Sequence, residues 1–152
     1  MNYWLLKSEQ SAFSIDDLAK LGETIWDGVR NYQARNYLRA AQAGDVCFFY
    51  HSKSDETGIA GVCKVIAANL DDPTQFDPQN ICYYDPKSTP AVPRWQTVKV
   101  AFVEKFPRVV TLAELKAAFT PDELMVVRKG LRLSVMPVEA RVAERLLEMG
   151  RG

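Results

Sequence analysis

The stretch DVCFFYHSKSDETGIAGVCKVIAAN (45–69) decides how the rest of the chain is read. Its first part, DVCFFYHS (45–52), is a short continuous apolar and aromatic run, the pattern of a strand buried on both faces. Its last part, GIAGVCKVIAAN (58–69), reads as a second strand whose small residues predict close packing or a bend. Upstream, YWLLK (3–7) reads as a short buried strand. Ser14, three residues before Asp17, precedes the apolar positions Ile15, Leu18 and Leu21 and a stop at Gly22, which predicts a short capped helix. Helical periodicity then runs from Gln33 to Ala43, with Gly44 as its C-terminal stop.

Downstream, the proline-rich run 70–94, with its Asp-Pro and Thr-Pro junctions, predicts a long ordered or semi-ordered loop. WQTVKVAFVEKF (95–106) alternates as a strand, with Val98, Val100 and Phe102 on one side. Two T-x-x-E capping boxes follow, Thr111 with Glu114 and Thr120 with Glu123, the second with Pro121 at the first helical position. LRLSV (131–135) is a candidate short strand, and Pro137 opens an expected helix to Met149 that stops at Gly150. Strands and helices mix without regular β-α-β alternation. That favours an α+β fold around a curved or barrel-like sheet, with 152 residues forming one domain.

Nineteen basic and nineteen acidic side chains cancel. The balance argues against coating nucleic acid by bulk electrostatics, which needs an excess of Lys and Arg, but it leaves room for a local basic face. Cys47, Cys63 and Cys82 are odd in number and lack C-x-x-C spacing, so a reducing compartment, hence the cytoplasm, is the simpler expectation. No apolar window approaches a membrane span, and no membrane partner is expected. The chain gives no indication of oligomeric state.

Enzyme signals are sparse. His51 is the only histidine and lies four residues after Cys47, so a Cys–His pair on one strand face is conceivable. Against that, a Cys among apolar residues acts as a small hydrophobe. One His and three scattered Cys do not make a zinc set. No phosphate-binding glycine loop, nucleophile elbow or H-E-x-x-H is present, and no cofactor is expected. Of the carboxylates, Glu9 and Asp27 are the ones expected near a polar pocket.

WDGVRNYQARNYLRAAQAGD (26–45) concentrates chemistry instead. On a helix from about Asn31, residues Asn31, Arg35 and Arg39 share a face. Arginine forks bind phosphate bidentately. Trp26 offers a flat face for a base, a contact worth about 1–3 kcal/mol. Asn31, Gln33 and Asn36 carry paired donors and acceptors suited to a base edge. The same residues also fit a plainer reading, with Trp26 and Tyr32 as core anchors and the arginines as a solvated helix face. Lys7 and Ser8, at the end of the first strand, stand between a binding edge and a simple strand exit.

Taken in order, YWLLKSE, WDGVRNYQARNYLR, GDVCFFYHS, GIAGVCKV, WQTVKVAFVEKF and LRLSVMPV resemble the EVE domain of the PUA-like superfamily, over essentially the whole chain. The resemblance implies an α+β, PUA-like fold: a small, partly open mixed β-barrel flanked by helices and related to YTH domains. It also implies a non-enzymatic module whose pocket accepts a base, a modified one such as methylated or hydroxymethylated cytosine. Position by position, Lys7 and Ser8 match the pocket rim and Trp26 an aromatic wall. Asn31, Tyr32, Gln33, Arg35 and Asn36 match the segment beside that wall. Tyr50, His51 and Ser52 match the pocket floor or the adjoining edge. Glu9, Ser134, Met136 and Pro137 match flanking positions. Two departures stand out: Gln10 replaces the proline of the family's K-S-E-P, and a tryptophan usual in the last helix is missing near Arg145.

The expectation is therefore a reader of DNA or RNA, with Arg30 and Arg39 on phosphates. The rivals are a small enzyme on a nucleotide, with Glu9 or His51 as acid or base, and a sensor of a nucleotide-like small molecule.

Overall fold

A computed structural model describes residues 1–152. The two strands read from 45–69 form a hairpin, β3 (Val46–Ser52) and β4 (Gly58–Asp71), with Cys47 opposite Cys63 and Phe48 opposite Val62. In β3 the five consecutive residues Cys47–His51 are buried, as a strand covered on both faces requires. β1 (Tyr3–Glu9) lies parallel to β3, placing Leu5 against Phe48. β5 (Gln96–Thr111) pairs antiparallel with β4, β2 (Glu23–Ile25) with β5, and β6 (Val135–Val138) with β1.

The order β2-β5-β4-β3-β1-β6 ends on two edges, so the mixed sheet is curved and open rather than a closed barrel. Register shifts along β4 supply the bending that its small residues predicted. At Gly61 a Cβ would lie 2.4 Å from the Glu104 carbonyl oxygen, so only glycine lets β5 come this close. Helices α1 (Ile15–Leu21), α2 (Tyr32–Ala40), α3 (Leu112–Ala118) and α4 (Ala140–Arg151) all pack against β5. They enclose one core of 35 buried residues. No helix is long and apolar enough to cross a membrane.

Both expected caps of the short helices form. Ser14 and Asp17 exchange hydrogen bonds at α1, as Thr111 and Glu114 do at α3. Other expectations are corrected. The second helix starts one residue earlier and ends three earlier than its periodicity predicts, at Ala40, because Asp45 accepts the Gln42 N–H and pulls the chain into the turn before β3. Thr120 and Glu123 make their reciprocal bonds, yet only a turn and a 3-10 segment at Met125–Val127 follow. There the β-branched Val126 and Val127 are drawn into the core, and tertiary burial overrides the helical start.

The residues 131–134 form no strand. Pro137 belongs to β6 instead of opening a helix, which is tolerated because β6 is an edge strand. Gly150 lies within α4 against the Phe106 ring instead of ending it. β5 runs on past Pro107, which falls where the pairing of Ile59 and Gly61 skips register. β2 is too short to leave a periodic trace.

Candidate functional site

The strap Trp26–Asn31 connects β2 to α2, and its position is fixed from both sides. The Trp26 N–H donates to the Val98 carbonyl (2.9 Å) while the Trp26 carbonyl accepts the Thr97 hydroxyl. Beyond it, the Gly28 N–H donates to Asp72 Oδ2 (2.8 Å). Gly28 has φ +81°, a conformation that favours glycine, and a Cβ there would sit 2.6 Å from Tyr83 Cζ and push the ring off the strap.

Asp72, buried at the end of β4, binds the strap to the proline-rich loop. Its carboxylate also accepts the Thr74 N–H (2.9 Å), the Thr74 hydroxyl (2.6 Å) and Arg30 Nη1 (3.1 Å). Arg30 spends its remaining donors on Val29 O, Thr74 Oγ1 and, twice, Tyr83 O. All five N–H groups of a guanidinium are then committed. Deeper in the loop, buried Gln75 donates to the Asp72 and Trp95 carbonyls and accepts from Ser88 and from the Arg94 and Trp95 backbone. The loop is ordered by buried polar hubs.

Between this strap and the end of β1 lies a cavity of about 610 Å³, within the roughly 300–1,000 Å³ usual for small-molecule pockets. Trp26 and Phe13 form its aromatic side. Trp26 meets Phe49 edge-on (5.5 Å, 89°) and Phe13 likewise (6.4 Å, 76°), leaving 8% of its surface for the cavity. The question left by the sequence therefore has a double answer: Trp26 anchors the core and also borders the cavity.

The polar side carries Lys7, Ser8, Glu9 and Asp27. Lys7 Nζ lies 5.6 Å from the Tyr50 ring centre, and burial lowers its pKa. Burial of the phenol beneath pushes Tyr50 up to about 12. Ser8 donates to the Phe13 carbonyl (2.6 Å), which leaves its oxygen as an acceptor. Glu9 pairs with Lys53 (3.0 Å) at the mouth. Asp27 is exposed at the rim on one side; desolvation on the other, then the nearby Asp72 charge, raises its pKa.

Of the residues expected at a binding site, the cavity gathers Lys7, Ser8, Glu9, Trp26, Arg30 and Ser134. Arg30, expected on phosphate, stands there as a brace, with all five N–H groups bonded within the protein. Asn31, expected at the base edge, caps α2 with its Oδ1, which accepts the Ala34 N–H (3.0 Å), and lies outside the cavity lining. Tyr32 stacks outside the cavity on Trp95 (4.8 Å, 17°), and the Arg35 guanidinium lies against both rings, 4.6 Å from the centre of Tyr32 and 5.8 Å from that of Trp95. Arg35 donates to the Arg94 carbonyl and to Asn36, Gln33 to the Tyr37 hydroxyl, and Arg39 to Gln96. These side chains form a separate aromatic and basic face beside Trp95.

Tyr50 and Met136 are buried, while Ser52, at the end of β3, and Pro137, within β6, lie away from the cavity lining. His51, expected at the pocket floor or the adjoining edge, is buried outside the cavity lining: its Nε2 accepts the Ile15 N–H at the start of α1 (3.0 Å), and burial lowers its pKa. Cys47 is not its partner. That thiol faces Cys63, whose hydrogen bond and then burial push it well above the usual range, where a thiol is a poor nucleophile.

Reading the sequence missed Phe13, Thr24, Ile25, Gly28, Val29 and Tyr83. The signal for Gly28 and Val29 was the unbroken run from Trp26 to Arg30, of which Trp26, Asp27 and Arg30 drew attention. Tyr83 had a weaker one: a long loop inside a compact domain is usually functional.

Residues 2–149 match the family model of the EVE domain. Human thymocyte nuclear protein 1 (THYN1) is 43% identical over 155 residues, covering 90% of this chain and 68% of that protein. The crystal structure of human THYN1 in complex with 5-methylcytosine-containing DNA aligns over 100% of this chain and 99% of that one, at 39% identity and a TM-score of 0.87. A Pseudomonas putida protein of known structure is 49% identical with a TM-score of 0.92, covering 97% of this chain and 98% of that one. The Pho92 YTH domain, solved in complex with m6A, shares the fold at a TM-score of 0.55 and 12% identity, covering 99% of this chain and 84% of that one.

Proposed function

This chain belongs to the EVE domain family, and from that premise we propose that it is a nucleic-acid-binding module that draws a modified cytosine out of its stack into the Trp26 cavity. One observation carries the proposal: the whole chain aligns with human THYN1 as solved with 5-methylcytosine-containing DNA. The cavity's chemistry supports it. Cytosine presents an exocyclic amine that a carboxylate can accept, and Asp27 is the carboxylate on the strap. Lys7 supplies a donor for the carbonyl side of the base. Trp26 and Phe13 supply apolar surface for the ring and its methyl group. A buried methyl contributes about 0.8 kcal/mol, so preference over plain cytosine is modest, roughly fourfold.

The reading assigns no turnover to the site, since Cys47 and His51 are engaged within the core. Phosphates on either side of the base fall to Arg35 and Arg39, on the face beside Trp95.

The direct test is a set of identical oligonucleotides, each with one cytosine modification, bound at two salt concentrations. A preference for the modified base that persists while overall affinity falls with salt is the expected result. Equal affinity for every base, modified or not, overturns the reading; affinity indifferent to salt points to a free nucleotide instead.

A pH series follows from Asp27. Accepting the amine requires the ionised carboxyl, whose pKa is raised. Affinity is therefore complete above that raised pKa and declines as the pH falls through it. Asp27→Asn, which keeps a weaker acceptor but cannot titrate, is expected to bind about tenfold less tightly at neutral pH, within the roughly 1–3 kcal/mol of a base-edge contact. Its affinity should show no such decline. A wild-type profile as flat as the variant's removes Asp27 from the base edge.

A further inference from the structure

Beside the cavity mouth the proline-rich loop holds its most exposed apolar side chain out in water. Ile81 is 92% exposed, beyond every other large hydrophobic residue in the protein. It stands two residues before Tyr83, whose ring packs on Gly28 and borders the cavity. The tip is tightly tied. Asn80 accepts the Tyr83 N–H with its side chain (3.1 Å) and the Tyr84 N–H with its carbonyl (2.9 Å), while its own N–H donates to Asp77 (3.0 Å). Arg30 clamps the Tyr83 carbonyl with two N–H groups (3.0 and 2.6 Å). Tyr84, with 39% exposure, adds a second apolar surface next to it.

A loop built to be rigid, with an aliphatic side chain at its apex and an aromatic one lining a base-sized cavity, matches what base extrusion needs. Taking one base from a duplex leaves an apolar slot between its former neighbours, and filling such a slot with an aliphatic wedge is a recurrent solution. We propose that Ile81 enters the slot vacated by the base held in the cavity, which makes double-stranded nucleic acid the partner this site is built for. The wedge rests on the base-reading function proposed above. A single strand has no such slot, so Ile81 contributes nothing to binding it.

The test compares wild type with Ile81→Ser on one oligonucleotide containing a single 5-methylcytosine, presented as a single strand and as a duplex. An exposed position tolerates the change, so equal melting temperatures are expected and serve as the folding control. Duplex affinity should fall about tenfold, a free-energy difference of 1.4 kcal/mol, with single-strand affinity unchanged. Loss on neither form, or equal loss on both, overturns the wedge while leaving base reading intact, provided wild type still prefers 5-methylcytosine to cytosine. If wild type makes no such distinction on either form, base reading falls, and the wedge with it.

Discussion

Asp72→Ala is expected to destabilise the protein by about 3 kcal/mol, the lower part of the roughly 3–5 kcal/mol lost on breaking a buried ion pair. The side chain is 2% exposed and carries four contacts, from Gly28, Thr74 twice and Arg30. Its removal leaves the Arg30 charge without its counterion and two backbone N–H groups without their acceptor. Arg30 keeps 20% exposure, so its guanidinium can turn partly toward water, which sets the effect at the lower end. For a chain of this size, thermal unfolding should fall by roughly 6–12 °C.

The double variant Arg30→Met with Asp72→Ala removes the stranded charge as well. It should lose less than the sum of the two single changes, because the residues share one network. A single-variant loss under about 1 kcal/mol would mean that the strap and the loop hold together without this hub.

The dependence on Asp72 bears on why the fold was easier to read than the site. Strand 45–52 declared itself because burial on both faces leaves a continuous apolar run, and the caps at Ser14 and Thr111 declared themselves because their bonds are local. Asp72, Gln75 and Tyr83 act across contacts to residues 28–30 and 88–95 that no local pattern encodes. A buried Asp in a proline-rich segment looks the same in sequence as a solvated turn residue.

The segment 31–36 is ambiguous in the opposite way. Asn, Gln and Arg carry hydrogen-bonding groups whether they read a base, cap a helix or tether neighbouring side chains, and Asn31 spends its oxygen on α2. Family resemblance placed this segment beside the pocket but could not say which neighbouring residues line the cavity. Those turn out to be the five preceding Asn31, where the strap is bonded to β5 and Asp72 before the helix begins.

Trp26 carries the second large effect because it belongs to both systems. Trp26→Ala removes a ring wedged between Phe13 and Phe49 and should cost about 3–5 kcal/mol in stability, as large aromatic truncations do. Its effect on binding is smaller in energy and more specific. With 8% of its surface exposed, the indole offers the cavity a limited contact, so the loss of base-dependent affinity should sit near the low end of the roughly 1–3 kcal/mol for base–aromatic contacts, about fivefold to tenfold.

That loss should remove the preference for the modified base while salt-dependent background binding persists, since the proposed backbone contacts of Arg35 and Arg39 lie beyond the cavity. Trp26→Phe retains an aromatic ring at the position and should recover most of the stability but only part of the preference. Binding measured at a temperature where both variants are folded separates the two roles. A folded Trp26→Ala that discriminates bases as sharply as wild type would leave Trp26 with the core alone and move recognition to Phe13 and the polar side of the cavity.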